Sequence, residues 1–228
     1  MRLEHLDLLR ARESKLSVIA DRIWYLPERD PIEADATFPG WDHPDVFSQI
    51  NPLRVEYCSG NGCWIAAKAA AHPNYNWIAI ERKFSRARKI WAKAKTMNLP
   101  NLFVICAEGH FVTSHYFSAG SVSDFFINFP DPWPKRRHAR HRIIQPAFAS
   151  QLSRTLIPEG SLTMVSDDAA YSEWTIRILN ATPGFTSCYS APFYVTDQED
   201  YGCSYFEQLW RSKGKTIRYH KFKKTVLA

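Results

Sequence analysis

One carboxylate and one large aromatic residue follow an apolar run in the middle of the chain. The run is Phe125-Phe126-Ile127-Asn128, the acid is Asp131 and the aromatic is Trp133. Three prolines between residues 130 and 134 must end the run, because proline gives a strand no N–H donor and fixes φ. We therefore expect a buried strand and then a stiff loop, which presents Asp131 where open α/β sheets bind ligands.

The residues that follow this loop are strongly basic. They are Lys135, Arg136, Arg137, Arg140 and Arg142, interspersed with His138 and His141. Such a cluster is typical of a surface that faces phosphate groups, and the alternative is a solvated charged helix after a proline-rich connection. Trp133 has two possible roles as well, since an aromatic side chain can stack on an exposed base or anchor the loop in the core.

Three predicted strands upstream of this region also carry an acid at or near their carboxyl ends. Glu56 lies inside the first strand, Glu81 ends the second and Glu108 follows the third. A carboxylate at a strand end can bind ribose hydroxyls, and another acid nearby can hold a cation or an amine. Each acid taken singly has a surface or structural role as its alternative, but the three together favour a binding site.

A glycine-containing loop, residues 58–62, follows the first of these strands and precedes an alanine-rich helix. Gly60 and Gly62 lack the third small residue of a dinucleotide fingerprint, because Ile65 stands at that position. This departure weakens the case for pyrophosphate binding by the loop. Together with the three acids the loop suits a ligand that is cationic and contains a ribose but no phosphate, as S-adenosylmethionine does.

The whole chain has the composition of an ordinary globular protein of 228 residues, with a net charge of +6. Residues 1–50 contain six Lys/Arg and ten Asp/Glu, whereas residues 51–228 contain twenty-three and thirteen. The basic excess of the larger part is expected for a polyanion-binding surface. Five cysteines without a C-x-x-C pair indicate reduced, mostly buried thiols. We expect no signal peptide, no membrane span and no metal, and a cytoplasmic location.

Strands alternate with helical segments from residue 51 onward, which predicts βαβ units and a mainly parallel sheet. We expect Ser85 to cap a helix that ends at Met97 with its side chain inward, and residues 158–160 to form a turn before the fifth strand. A connection that contains Gly and Ser is expected between the third strand and the apolar run at Phe125. Residues 1–50 are predicted to be an irregular arm of unknown role, with one leucine-lined helix at its start.

The chain resembles the bacterial tRNA (guanine-N7-)-methyltransferases over residues 51–228. The resemblance rests on motifs along the chain: Glu56-x-Cys58-x-Gly60-x-Gly62, Ile80-Glu81, Asn101-Leu102 through Glu108, Asn128 through His138, Ser166-Asp167 and Ser204-x-Phe206-Glu207. The Phe-Pro-Asp-Pro-Trp-Pro-Lys run is the most specific of them. Cys58 stands in place of a usual glycine, Glu108 in place of Asp and Ser204 in place of Thr.

This resemblance implies a Rossmann-like class I methyltransferase fold, with a seven-stranded sheet, an antiparallel last strand and helices on both faces. It implies methyl transfer from S-adenosylmethionine to N7 of a guanine in the variable loop of tRNA. Asp131 is implied to be the active-site acid. The implied cofactor contacts are Glu56, Gly60, Gly62, Glu81, Glu108 and Asp131, and the implied tRNA contacts are Lys135, Asp167, Ser204, Tyr205, Phe206 and Glu207.

Two other functions remain as alternatives at this point. One is a methyltransferase of the same fold that acts on another RNA position or on a small molecule. The other is a non-catalytic RNA-binding module with a degenerate cofactor site. Ser204 and Glu207 also match a helix capping box, a role compatible with substrate binding. The sequence leaves open whether the protein is a monomer or a homodimer, and which tRNAs it selects.

Overall fold

The computed structural model describes residues 17–27, 38–202 and 204–225. Its strands are β1 (Val18–Ala20), β2 (Ile23–Tyr25), β3 (Leu53–Tyr57), β4 (Asn76–Ile80), β5 (Leu102–Cys106), β6 (Val122–Asn128), β7 (Leu156–Ser166), β8 (Phe185–Ser187) and β9 (Arg218–Lys224). Its α-helices are α1 (Cys63–Ala71), α2 (Phe84–Thr96), α3 (Gly109–Tyr116), α4 (Pro146–Thr155), α5 (Ala169–Asn180) and α6 (Tyr205–Ser212). The predicted leucine-lined helix of the arm and Cys203 lie outside the described residues.

The chain divides into two compact units, one formed by residues 1–53 and 59–109, the other by residues 54–58 and 110–228. In the first unit β4 pairs with β5 and β5 with β2, each in parallel, and β1 is antiparallel to β2. Every residue of β4 and β5 is buried. Continuous burial explains why these strands, apart from Asn76 at the start of β4, are apolar and do not alternate with polar residues.

Residues 18–25 form a short antiparallel pair of strands, so the prediction of an irregular arm is wrong for them. The three-residue strands are too short to show a hydrophobic period. Asp21 and Arg22 make the turn between them at φ values of 45° and 65°, without the glycine or asparagine that signals such turns. Ile23 and Trp24 are fully buried. Whether the chain has a domain boundary at residue 50 stays a prediction.

In the second unit the strand order is β3-β6-β7-β9-β8. β6 and β7 are parallel, and β9 is antiparallel to both β7 and β8, which confirms the predicted antiparallel last strand. Nine strands are described where seven were expected, and the additional ones are β1 and β2. The mixture of parallel strands and helices confirms the Rossmann-like class.

Three local predictions about the elements were wrong. Residues 158–160 do not form a turn before β7, because β7 already begins at Leu156 and its register against β6 shifts between Val122 and Asp124. The connection after β5 contains α3, a helix that the sequence analysis did not specify. Helix α2 begins at Phe84, so Ser85 is inside it and Lys83 is the N-cap, while Met97 is 44% exposed.

The cysteines are less buried than expected. Cys106 is buried, but Cys58, Cys63 and Cys188 are exposed. Within the described ranges, no group of three or more His, Cys, Asp or Glu side chains could hold a metal ion. No described helix is both long enough and apolar enough to span a bilayer.

Candidate active site

The glycine loop turns the chain from β3 into α1 through left-handed backbone conformations. Gly60 and Gly62 have φ values of 58° and 72°, and Gly62 is the N-cap of α1. A Cβ at Gly62 would lie 2.8 Å from both γ-carbons of Ile90, on helix α2. Conformation and space therefore both require glycine at this position.

Cys58 also adopts a left-handed conformation, with φ 58°, at the position where the resembling family usually has glycine. Such a conformation costs an L-residue about 1–2 kcal/mol, because its Cβ crowds the following carbonyl oxygen. The strain lies at a predicted ligand loop, which is where proteins commonly retain it.

Glu81, in the first unit, is bound to the glycine loop by its side chain. Its Oε2 accepts the backbone N–H of Gly60 at 3.0 Å, and its Oε1 accepts the backbone N–H of Lys83 at 2.8 Å. The residue is 5% exposed. One carboxylate thus fixes both the loop and the turn after β4, and each oxygen has a second lone pair directed elsewhere. Glu108 is exposed, directly after β5 and before α3.

Glu56, in the second unit, is buried in β3 at 2% exposure. Its Oε1 accepts a hydrogen bond from Nδ2 of Asn128 at 2.7 Å, and Oδ1 of Asn128 accepts from the hydroxyl of Tyr201 at 2.7 Å. Burial and then the charge of Glu56 raise the pKa of Tyr201 well above its ordinary value, so this hydroxyl keeps its proton. We call Glu56, Asn128 and Tyr201 the buried relay.

The loop after β6, residues 129–134, leaves the sheet with two strained residues, and we call it the proline loop. Phe129 and Trp133 have φ values of 49° and 44°, which are rare for residues other than glycine. The N–H of Phe129 still donates to the carbonyl of Val165 at 2.9 Å, so the sheet pairing continues up to the bend. Asp131 lies between the two strained residues and is exposed. The loop thus presents the predicted active-site acid to solvent on a constrained backbone.

Arg142 does not belong to the phosphate-facing surface, so that part of the prediction is wrong. It is 8% exposed, and its Nε donates to the carbonyl of Pro132 at 2.8 Å. Its guanidinium lies over the rings of Tyr171 and Trp174 at 5.0 and 5.2 Å. Cation–π contacts with α5 therefore fix Arg142, which in turn holds the proline loop by its hydrogen bond to Pro132.

The rest of the described basic block is exposed. Lys135, Arg137 and Arg140 all face solvent around a 3₁₀ helix, Arg136–His141. The half-buried ring of Trp133 packs beside His141, with centroids 5.1 Å apart, and beside His138 at 5.9 Å. The contact supports an anchoring role for Trp133 within the loop.

The predicted tRNA contacts at the start of α6 differ in exposure. Ser204 and Glu207 are both buried, and Oγ of Ser204 caps α6 by accepting the N–H of Glu207 at 3.1 Å. Oε1 of Glu207 accepts from the hydroxyl of Tyr219 at 2.6 Å and from Arg211 at 3.0 Å. Tyr205 is 54% exposed. Phe206 is half-buried and lies 6.4 Å from the ring of Phe129.

Asp167, another predicted tRNA contact, is already ion-paired within the second unit. It lies just past β7, and its Oδ2 binds Nζ of Lys215. Lys215 also lies 3.9 Å from the ring centre of Trp210, a position that favours cation–π attraction. Asp167 and Trp210 therefore fix the direction of an otherwise exposed ammonium group.

A serine–histidine pair in the second unit is not a nucleophilic site. Oγ of Ser172 lies 2.9 Å from Nε2 of His220, but the two residues are 1% and 0% exposed. Desolvation by burial lowers the pKa of His220 to about 4. The pair is a buried structural contact that holds the carbonyl of Phe193 through the other ring nitrogen at 3.2 Å.

The structure joins several of the predicted residues directly, Gly60 with Glu81 in one unit and Glu56 with the start of the proline loop in the other. Sequence analysis missed Tyr201, Lys215 and Arg211. None of these three residues belongs to a recognisable motif, because each acts through a contact with a residue at another position in the chain. The polar Asn128 at the end of an apolar strand was visible, but its partners were not.

Comparisons with known proteins point to one family. Residues 50–219 match the family described as "Putative methyltransferase". The tRNA (guanine-N(7)-)-methyltransferase of Chlamydia muridarum is 37% identical over 216 residues, 94% of each chain. The enzyme of the same name from Chlamydia trachomatis is 38% identical, with the same coverage. That from Staphylococcus aureus is 30% identical over 75% of this chain and 79% of its own.

Solved structures with low sequence identity share the fold. The 16S rRNA methyltransferase KamB has a TM-score of 0.58 at 14% identity, covering 92% of this chain and all of its own. The antibiotic-resistance methyltransferase Kmr has a TM-score of 0.56 at 18% identity, covering 93% and 100%. The family match and the relatives at 37–38% identity show that this chain belongs to the tRNA (guanine-N7-)-methyltransferase family.

Proposed function

We propose that the protein transfers a methyl group from S-adenosylmethionine to N7 of a guanine in the variable loop of tRNA. The observation that carries the proposal is the proline loop. It presents Asp131 to solvent between two strained residues and leads at once into the exposed cations Lys135, Arg137 and Arg140. One short segment thus contains an acid that can bind the edge of a nucleobase and cations that can bind the phosphate backbone.

The chemical groups of the glycine loop and of three carboxylates suit this cofactor. Glu81 ends β4 with two fixed carboxylate oxygens, a suitable acceptor pair for the ribose hydroxyls. Glu56 brings a buried negative charge for the amino group, and Glu108 adds a further carboxylate at the end of β5. Gly60 and Gly62 keep the loop free of side chains. When bound, the cofactor supplies an electrophilic methyl group on a positively charged sulfur.

The proposed reaction asks the protein to position the base rather than to remove a proton. N7 of guanine carries an in-plane lone pair, so its attack on the methyl group requires no general base. We assign Asp131 to accept hydrogen bonds from N1–H and N2–H₂, which directs N7 at the methyl group. The negative charge of Asp131 also stabilises the positive charge that develops on the base.

We assign the tRNA contacts to two surfaces of the second unit. Lys135, Arg137 and Arg140 provide phosphate contacts after the proline loop. Tyr205 and Phe206, which are exposed and half-exposed, offer rings for stacking at the start of α6. Ser204 and Glu207 fix the conformation of that turn through the helix cap, and Asp167 contributes as the ion-pair partner of Lys215.

The exposed cysteines Cys63 and Cys188 suit a cytoplasmic location.

Methyl transfer from labelled cofactor to unmodified tRNA, followed by nucleoside identification, tests the proposal. We expect 7-methylguanosine, located in the variable loop by cleavage mapping. Another methylated nucleoside would replace the proposed acceptor, and binding of both ligands without transfer would indicate a non-catalytic RNA-binding protein.

A further inference from the structure

The buried relay connects two parts of the second unit to which the proposed function assigns different ligands. At one end Glu56 is a proposed cofactor contact, and at the other Tyr201 lies three residues before Ser204, where the proposed tRNA contacts of α6 begin. Asn128 joins them and is the last residue of β6 before the proline loop. Both hydrogen bonds of the relay measure 2.7 Å.

The direction of the hydrogen bonds in the relay is fixed by its chemistry. A carboxylate oxygen only accepts, so Asn128 must turn its amide NH₂ toward Glu56 and its oxygen toward Tyr201. The phenol must then donate, and its burial and the nearby charge of Glu56 keep it protonated. A change at either end therefore alters the polarisation and position of the shared amide.

A second buried group holds the same segment from the other side. The ring of Tyr201 packs on that of Tyr219, with centroids 5.3 Å apart. The hydroxyl of Tyr219 donates to Glu207 at 2.6 Å, inside the first turn of α6. The relay thus holds Tyr201, and Tyr219 contacts both the ring of Tyr201 and the carboxylate of Glu207.

We propose that Tyr201 is a positioning residue that couples the binding of cofactor and tRNA. Through Asn128 it is hydrogen-bonded to the Glu56 carboxylate. Through its ring it contacts Tyr219, whose hydroxyl binds Glu207 in the Ser204–Glu207 turn, so that occupation of the cofactor site favours the tRNA-binding arrangement of the turn. The inference rests on the proposed function and adds a regulatory link to it. Coupling of this kind is reciprocal, so tRNA must tighten cofactor binding by the same factor.

The test measures tRNA affinity with and without saturating S-adenosylhomocysteine, in the wild type and in Tyr201→Phe, which removes only the hydroxyl. We expect the cofactor product to tighten tRNA binding of the wild type by about 5- to 150-fold, the usual range for coupled sites. In Tyr201→Phe this factor should fall at least three-fold. The matched control is Tyr189→Phe, because the hydroxyl of Tyr189 binds Gln198, three residues before Tyr201, at 3.2 Å but does not belong to the relay.

A merely structural role for Tyr201 would lower the melting temperature and leave the coupling factor unchanged. Hydrogen exchange gives a second readout, in which S-adenosylhomocysteine slows amide exchange at residues 204–207 of the wild type and not of Tyr201→Phe. Asn128→Ser, which breaks the relay at its centre, replaces the phenylalanine variant if that variant does not fold, and the same loss is expected.

The outcomes separate the two proposals. A wild type that binds both ligands with a coupling factor of one, or a Tyr201→Phe variant that retains the wild-type factor, overturns the inference and leaves the proposed function standing. A wild type that binds neither ligand overturns the proposed function, and the inference with it.

Discussion

Two carboxylates, Glu81 after β4 and Asp131 of the proline loop, are held in opposite ways. Both oxygens of Glu81 accept backbone N–H groups, and the side chain is 5% exposed. Asp131 is exposed, and its constraint comes from the backbone on either side, at Phe129 and Trp133. The comparison teaches that the acid proposed for cofactor binding is bonded into the fold by its side chain, whereas the acid proposed for the reaction is held in place by its backbone.

Asp131→Asn should separate activity from folding most clearly. We expect turnover to fall roughly 10²- to 10³-fold, or about 3–4 kcal/mol, because the amide lacks the charge and one of the acceptors. The melting temperature and the affinity for S-adenosylhomocysteine should stay near those of the wild type. Glu173→Gln, at an exposed position on α5, is the control for a lost surface charge. Near-normal turnover of Asp131→Asn would rule out its proposed role.

Gly62→Ala should destabilise the folded protein at the glycine loop. The new Cβ meets Ile90 at 2.8 Å in a left-handed conformation, so we expect a loss of about 2–4 kcal/mol in the free energy of unfolding. Gly120→Ala is the matched control, since φ there is 64° with no atom within 4 Å. Chemical denaturation measures both variants. Equal losses would show that the contact with Ile90 relaxes without cost.

Glu81→Gln should lower stability and cofactor affinity together, in contrast to Asp131→Asn. A glutamine NH₂ must then face either the N–H of Gly60 or that of Lys83, so one buried donor loses its acceptor, at a cost of about 1–3 kcal/mol. Denaturation and calorimetry with S-adenosylhomocysteine measure the two effects. A variant with normal stability and weakened cofactor binding would mean that Glu81 serves the ligand alone.

Substitutions in the basic block should have the smallest effect, and it should be confined to tRNA binding. Arg137→Gln combined with Arg140→Gln should weaken tRNA binding and reduce the slope of log affinity against log salt by up to about one per residue. Arg142→Gln should leave that slope unchanged and destabilise the protein, because this guanidinium is buried on Tyr171 and Trp174. An unchanged slope in the double variant would make the exposed arginines a solvated surface only.

The sequence predicted the alternating strands and helices and the antiparallel last strand, because apolar runs and proline or glycine breaks are local signals. It did not predict β1 and β2, which are three residues long and turn without glycine. It placed Arg142 among the surface cations, since a run of charges does not show which member will stack beneath a loop. The relay partner Tyr201 was equally invisible, as its contact with Asn128 spans 73 residues.

A tRNA with 7-deazaguanine at the variable-loop guanine tests the central claim most directly. It keeps the Watson–Crick edge for Asp131 and the phosphates for the exposed cations, but it replaces the nucleophilic N7 with C–H. We expect this tRNA to bind within a few-fold of the normal one and to accept no methyl group from labelled S-adenosylmethionine. Methyl transfer that persists on this substrate would contradict N7 as the acceptor.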